Sequence, residues 1–305
     1  MMNGILNVYK ERGFTSHDVV AKLRGITKQR KIGHTGTLDP DAEGVLPVCL
    51  GHATKLCDML TDRDKVYEAG LRLGIVTDTQ DITGTVLAEQ KSMVTKEALY
   101  EAAAHFTGEL MQIPPMYSAI KIGGKKLYEL ARQGREVERE PRPVTIYSLE
   151  ILSCTENEDG HVTDASLRAA CSKGTYIRTL CHDIGAYLGC GGCMSSLLRT
   201  KAGAFSLKDS LTLAQIQALA QEGGLEEALI PVDTMFPSCS KVIAQDGHEK
   251  QILAGNPIRK EWTNQSGEPQ TAAGQVRMYL SDGSFFGIYE WNQQLNEYKP
   301  VKLFL

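Results

Sequence analysis

From Lys65 to Leu73 the chain alternates, with Tyr67, Ala69, Leu71 and Leu73 on one side. A period of two over nine residues reads as a β-strand with one buried face. Residues 143–152 and 162–171 read as further strands, and 1–10 holds a short one. Helices interrupt them at irregular intervals. Thr15-Ser16-His17-Asp18 is a capping-box pattern ahead of Val19, Val20, Leu23 and Ile26 on one helical face. Thr95 opens a second helix with Leu99, Ala102, Ala103 and Phe106, closed by Gly108. A loop at Ser172-Lys173-Gly174 leads into a third, with Ile177, Leu180, Ile184 and Leu188 at helical spacing. Without a regular βαβ alternation, the pattern predicts an α+β domain with a mixed, mainly antiparallel sheet flanked by helices.

A chain of 305 residues exceeds one comfortable core and falls short of three. Composition shifts after about Pro237. Both tryptophans, Trp262 and Trp291, lie beyond it, and so does a hairpin signal at 276–280 and 285–289 around Ser281-Asp282-Gly283-Ser284. The expected division is a large domain at 1–237 and a small β-rich one at 238–305. With 42% hydrophobic and 23% charged residues, disorder over most of the length is excluded. No run approaches the roughly 18 apolar residues that a spanning helix needs. The N-terminus lacks the basic start and apolar core of a signal peptide, so the chain is expected in the cytoplasm. Eight scattered cysteines suit that address as free thiols. Cys190 and Cys193 have metal-like spacing, but only Cys181-His182 lies near enough in sequence to complete a zinc site, so packing in a glycine-rich turn is preferred.

The net charge of −4, from 33 basic and 37 acidic residues, argues against indiscriminate nucleic-acid binding. Its distribution is uneven. Residues 121–142 carry seven basic residues against four acids, and 22–31 carry five with no acid. Such runs are solvated faces unless they flank a site, where they fit a phosphate-rich partner.

The densest local signal is Gly33-His34-Thr35-Gly36-Thr37-Leu38-Asp39-Pro40-Asp41-Ala42-Glu43-Gly44. A phosphate-cradling loop would need Gly-Lys-Ser/Thr after its glycines, and none follows. Asp39, Asp41, Glu43 and Gly44 match the first ligand positions of a calcium loop, but the twelfth position is Leu50. The remaining readings are a carboxylate held in a rigid turn for chemistry, and an aspartate that merely caps the turn before Pro40.

These residues, continuing through Val45-Leu46-Pro47, resemble the catalytic motif of the TruB family of tRNA pseudouridine synthases. Further matches follow in the family's order. They are Gly13-Phe14-Thr15-Ser16-His17-Asp18, Asp64-Lys65-Val66-Tyr67, Pro114-Pro115-Met116-Tyr117-Ser118-Ala119-Ile120-Lys121, Cys171-Ser172-Lys173-Gly174-Thr175-Tyr176-Ile177-Arg178-Thr179 and Leu197-Leu198-Arg199-Thr200. The last domain resembles, more weakly, the reduced PUA-like module of bacterial members. One departure is Lys10-Glu11 where the family has Lys-Pro, which predicts a less rigid turn before Gly13. Another is Cys193, where a larger residue is usual.

The resemblance implies isomerisation of uridine 55 in the T loop of tRNA, with no cofactor and no metal. It also implies that the target base is flipped out. Asp39 is the implied catalytic carboxylate, acting as nucleophile or as base and in either role ionised. Arg178, in the first turn of a helix, is its implied partner and is expected to lower the aspartate's pKa. Tyr67 is placed against the uracil, helping to remove the C5 proton, with Tyr176 and Leu198 keeping the pocket dry. His34 is expected to hold the disrupted RNA loop. Lys121, Lys125, Lys126 and Arg132, in a basic insertion at about 109–142, are expected to meet T-arm phosphates. The implied partner is tRNA, with no membrane, no obligate protein partner and a monomeric enzyme. The rival is a non-catalytic tRNA-binding or tRNA-folding module on the same scaffold, which has no need of Asp39, Tyr67 and Arg178 together.

Overall fold

The computed structural model describes residues 1–265 and 274–305. The chain begins with β1 (Gly4–Lys10), α1 (Ser16–Thr27), β2 (Ile32–His34), β3 (Glu43–Leu50), a short α2 (Cys57–Thr61) and β4 (Lys65–Leu73). A hairpin of β5 (Ile75–Thr77) and β6 (Val86–Glu89) leads to α3 (Lys96–His105) and β7 (Gly108–Gln112). The basic insertion folds as β8 (Lys121–Ile122), β9 (Lys125–Lys126) and α4 (Leu127–Ala131). Then come β10 (Arg142–Glu156), β11 (Val162–Cys171), α5 (Ile177–Tyr187), β12 (Gly192–Ala202), β13 (Phe205–Ser206) and α6 (Leu213–Glu222).

These strands form one sheet in the order β1-β3-β12-β4-β11-β10-β7, with β2 on β3 and β13 on β12. Only β3 and β12 run parallel within it. The mixed, mainly antiparallel α+β character therefore holds. β1 and β3 are nearly continuous apolar runs because both faces are covered. Leu6, Val8, Leu46 and Val48 pack under α1 and α6, while Ile5, Val45 and Cys49 face the C-terminal part. β4 instead alternates, since Tyr67, Ala69, Leu71 and Leu73 enter the core and Glu68 faces Arg168 at 2.9 Å. Each core leucine so buried contributes about 1.5–3 kcal/mol.

Thr15 caps α1 with a reciprocal capping box to Asp18. Thr95 caps α3, which ends at Phe106, whereas Gly108 starts β7 at φ +115°. The expected stop was therefore two residues late.

A second, smaller sheet follows in the order β14-β16-β17-β18-β15. Its strands are β14 (Ser240–Ile243), β15 (Ile258–Arg259), β16 (Gln275–Tyr279), β17 (Phe285–Asn292) and β18 (Glu297–Leu303), with a short α7 (Glu249–Leu253). Phe285, Ile288 and Phe304 pack with Ile5, Val45 and Cys49 of the main sheet. Lys55 Nζ donates to the Leu303 and Leu305 carbonyls at 2.8 and 3.2 Å, tying the chain end to the segment after β3. Among the described residues, no helix is long and apolar enough to cross a membrane.

Candidate active site

The loop between β2 and β3 is held on three sides, and this is what places Asp39. Ser16, at the start of α1, accepts from the Leu38 N–H at 2.9 Å, and the Leu38 side chain enters the main core. The Gly13 N–H donates to the Pro40 carbonyl at 2.9 Å. Gly44 lies at φ +104°, and a Cβ there would come 2.3 Å from the Arg199 carbonyl, so β12 can approach only a glycine. The carboxylates of the loop then diverge. Asp41 meets Arg12 at 3.3 Å and Glu43 accepts from the Tyr9 hydroxyl at 3.1 Å, which is not the convergence a calcium site needs.

Asp39 Oδ2 lies 3.0 Å from Arg178 Nε. Arg178 is the second residue of α5, whose start is clamped by Gln112: the Gln112 amide both donates to the Tyr176 carbonyl and accepts its N–H, at 3.0 and 2.8 Å. The guanidinium has 7% exposed side-chain surface and serves four partners. Besides Asp39, these are the Thr79 carbonyl at 3.1 Å, the Tyr117 carbonyl at 2.7 Å and the Asp81 carboxylate at 3.8 Å. One side chain thus joins the loop, the β5–β6 turn and the basic insertion.

The electrostatics correct one expectation. Asp39 keeps 42% of its side-chain surface, open on one side, yet protein encloses the rest. Its pKa is raised: burial is the largest cause, and the pull of Arg178 only partly offsets it, with Asp81 opposing.

Tyr67 is buried on β4, and burial raises its phenol above the ordinary 10.0. Tyr176 stands half-buried at the start of α5, with its pKa raised by burial and with Ser118, Arg178 and Asp39 nearby. His34, on β2, is half-buried, its pKa lowered by burial, with Nδ1 unpartnered among the described residues. The register sets Leu198 opposite Glu68, on the face away from Tyr67, while Leu197 sits opposite Ala69 and packs on the main core. The structure therefore gathers Asp39, Tyr67, Tyr176 and Arg178. Lys121, Lys125 and Arg132 are exposed, and Lys126 and Arg132 flank the Tyr128 ring at 5.3 and 5.4 Å. All eight cysteines are free.

Residues 24–177 match the family model of the TruB family pseudouridylate synthase N-terminal domain, and 178–237 that of the tRNA pseudouridylate synthase B C-terminal domain. The chain belongs to the TruB family. It is similar, at 54% identity with all of both chains covered, to "tRNA pseudouridine synthase B" of Lachnoclostridium phytofermentans. It is 40% identical to that of Bacillus pumilus, with 99% of this chain and 98% of the relative covered. Among solved structures, one described as a Cbf5-Nop10-Gar1 complex aligns at TM-score 0.69 and 26% identity, covering 100% of this chain and 85% of that one. The chain is an isomerase of the pseudouridine synthase class. The boundary between the two TruB models falls between Ile177 and Arg178, inside α5 and inside the site, so neither matched segment holds the site alone.

Sequence reasoning missed Lys10, Asp81 and Gln112 in this TruB site. Lys10, at the end of an apolar strand, has no exposed surface, and its ammonium donates to the Glu11, Pro40 and Ala42 carbonyls. The turn expected to be loose is in fact braced by three bonds. Burial pulls the Lys10 pKa down to about 8. A group whose folded pKa is lowered from 10.5 binds fewer protons folded than unfolded between those values, so its contribution makes the fold more stable as pH rises through that window. The brace itself weakens there, because the neutral amine has one donor fewer. Turnover is accordingly expected to decline as pH passes about 8, and Lys10→Arg to move that decline to higher pH. An unchanged alkaline limb in the arginine variant would separate Lys10 from it.

Proposed function

We propose that this enzyme converts uridine 55 in the T loop of tRNA to pseudouridine, acting as a monomer on the T arm and elbow. The observation that carries the reading is the 3.0 Å pair of Asp39 with an almost fully buried arginine, beside the buried Tyr67. Asp39 acts on the ribose in its ionised form, as nucleophile at C1′ or as base at the 2′ position. The target base is flipped from the loop at a cost of a few kcal/mol. Tyr67 stacks on the uracil and takes the C5 proton, Tyr176 walls the pocket, and His34 holds the opened loop. Leu197, on the Tyr67 face, replaces Leu198 as the apolar wall. The smaller sheet serves as a PUA-like RNA-contacting module.

The basic insertion supplies phosphate contacts through Lys121, Lys125, Lys126 and Arg132. The Arg178 bond to the Tyr117 carbonyl supports this arrangement, since it ties the insertion to the catalytic pair. Incubation with an unmodified T-arm stem-loop, read by carbodiimide-stop sequencing, should give one new stop at the T-loop uridine. Tight binding without a stop would instead favour a tRNA-folding module. Replacing Lys125 and Lys126 by Ala should flatten the slope of log affinity against log salt by roughly one to two. An unchanged slope would remove the insertion from the RNA interface.

A further inference from the structure

Arg199 is among the largest fully buried side chains of the chain, at 1% exposure. Among the described residues it has no carboxylate at ion-pair distance. Its Nε donates to the Val45 carbonyl at 2.7 Å and a terminal nitrogen to the Gly36 carbonyl at 3.3 Å. Both acceptors flank the Asp39 loop. A buried cation without an anion is strongly unfavourable, so a fold that keeps one must use it. Two neutral carbonyls are a weak reason for a guanidinium.

The register shows what else it meets. Arg199 lies directly opposite Tyr67 in the β12–β4 ladder, on the same face. The Arg199 guanidinium pulls the Tyr67 phenol pKa down, against the burial that raises it. The other groups facing that hydroxyl are the Cys171 thiol from β11 and Asp39 from the loop, and both disfavour a phenolate. Arg199 favours one, against the burial that raises the phenol.

We propose that Arg199 is a positioning residue for Tyr67: from the facing strand its buried guanidinium orients the phenol and sets a positive charge beside it, so that Tyr67 serves as a base. This rests on the reading of Tyr67 as the group that takes the C5 proton. In that step the C5–H bond breaks, its electron pair restores the C5=C6 double bond, and the C6=N1 pair passes to N1, which takes a proton from water. The proton forms the O–H bond of Tyr67, which later returns it to solvent. A neutral phenol could not accept the proton without becoming a cation, so a charge beside the oxygen is required chemistry.

The test places 3-fluorotyrosine at position 67 and titrates it by fluorine NMR in the RNA-free protein, with Arg199→Gln and Arg199→Lys. The phenol should ionise at least about one pH unit higher in the Gln variant, with Lys between. Single-turnover rates on the T-arm stem-loop, taken as a ratio to wild type at each pH, should fall ~10- to 100-fold near pH 7. The gap should narrow as pH rises. Because Arg199 also acts on the Lys10 ammonium, both proteins are compared in a Lys10→Arg background, where no amine titrates near 8. If Arg199→Gln does not fold, Arg199→Lys carries both measurements. An unshifted fluorotyrosine titration, or a rate loss independent of pH, would overturn the proposal. A fully active Tyr67→Phe variant would instead remove the reading of Tyr67 as a base, and the titration alone would then decide whether Arg199 tunes it.

Discussion

Asp39→Asn is expected to abolish pseudouridine formation, by at least ~10²–10⁴-fold if the carboxylate is a base and by more if it attacks carbon. The change keeps the shape of the side chain and removes its charge, so tRNA affinity should stay within a few-fold. Its effect on stability should run the other way. Burial raises the Asp39 pKa, so the folded state holds its proton more tightly than the unfolded state does. A carboxylate with a raised folded pKa contributes stability below its unfolded pKa and loses it as pH rises through the folded one. At neutral pH the ionised Asp39 is therefore a liability to the fold. Arg178 keeps Asp81 and two carbonyls without it. The Asn variant should melt at or above the wild-type temperature while making no product. Calorimetry and product mapping on the same preparation decide this, and near wild-type turnover would end the assignment.

What the sequence disclosed depended on whether a local pattern or a tertiary accident set the outcome. β4 was readable because one face is solvated and the other buried, which imposes a period of two. Asp39 was readable because its loop requires glycines at fixed places, Gly44 above all. Leu198 turns away from Tyr67 for a physical reason. β12 bulges between Met194 and Ser196, so the inward face passes from Met194 to Leu197 and Arg199; a regular strand would have turned Leu198 inward. No residue at the bulge advertises it. The direction of the Asp39 pKa shift was equally hidden. Sequence reveals the nearby arginine, but not how much protein closes over the carboxylate. Lys10 looked like a strand end beside a loose turn, and only the return of Pro40 and Ala42 over it makes it a brace.

Arg178→Met is expected to fail in two separable ways. The first is chemical. Losing the cation removes the main influence that lowers the Asp39 pKa, leaving burial and Asp81 to raise it further. The acid limb of the single-turnover rate should therefore move to higher pH, with residual activity increasing as pH rises. Arg178→Lys keeps the charge but not the fork that reaches Asp39, Thr79 and Tyr117 together, so it should recover the limb and only part of the rate. The second failure is mechanical. Without their donor, the Thr79 and Tyr117 carbonyls are left unpaired, at ~1–3 kcal/mol each where water cannot replace it. Tyr117 leads into the basic insertion, so that segment should loosen, with faster tryptic cleavage at Lys121, Lys125, Lys126 and Arg132 and several-fold weaker tRNA binding. The two readouts are independent, since cleavage is measured without substrate and the pH limb at saturating tRNA. A Met variant with the wild-type pH profile but rapid cleavage would make Arg178 a strut alone. One with slow cleavage and a shifted limb would make it a counter-charge alone. The shared guanidinium, bonded to both sides at once, predicts both changes together.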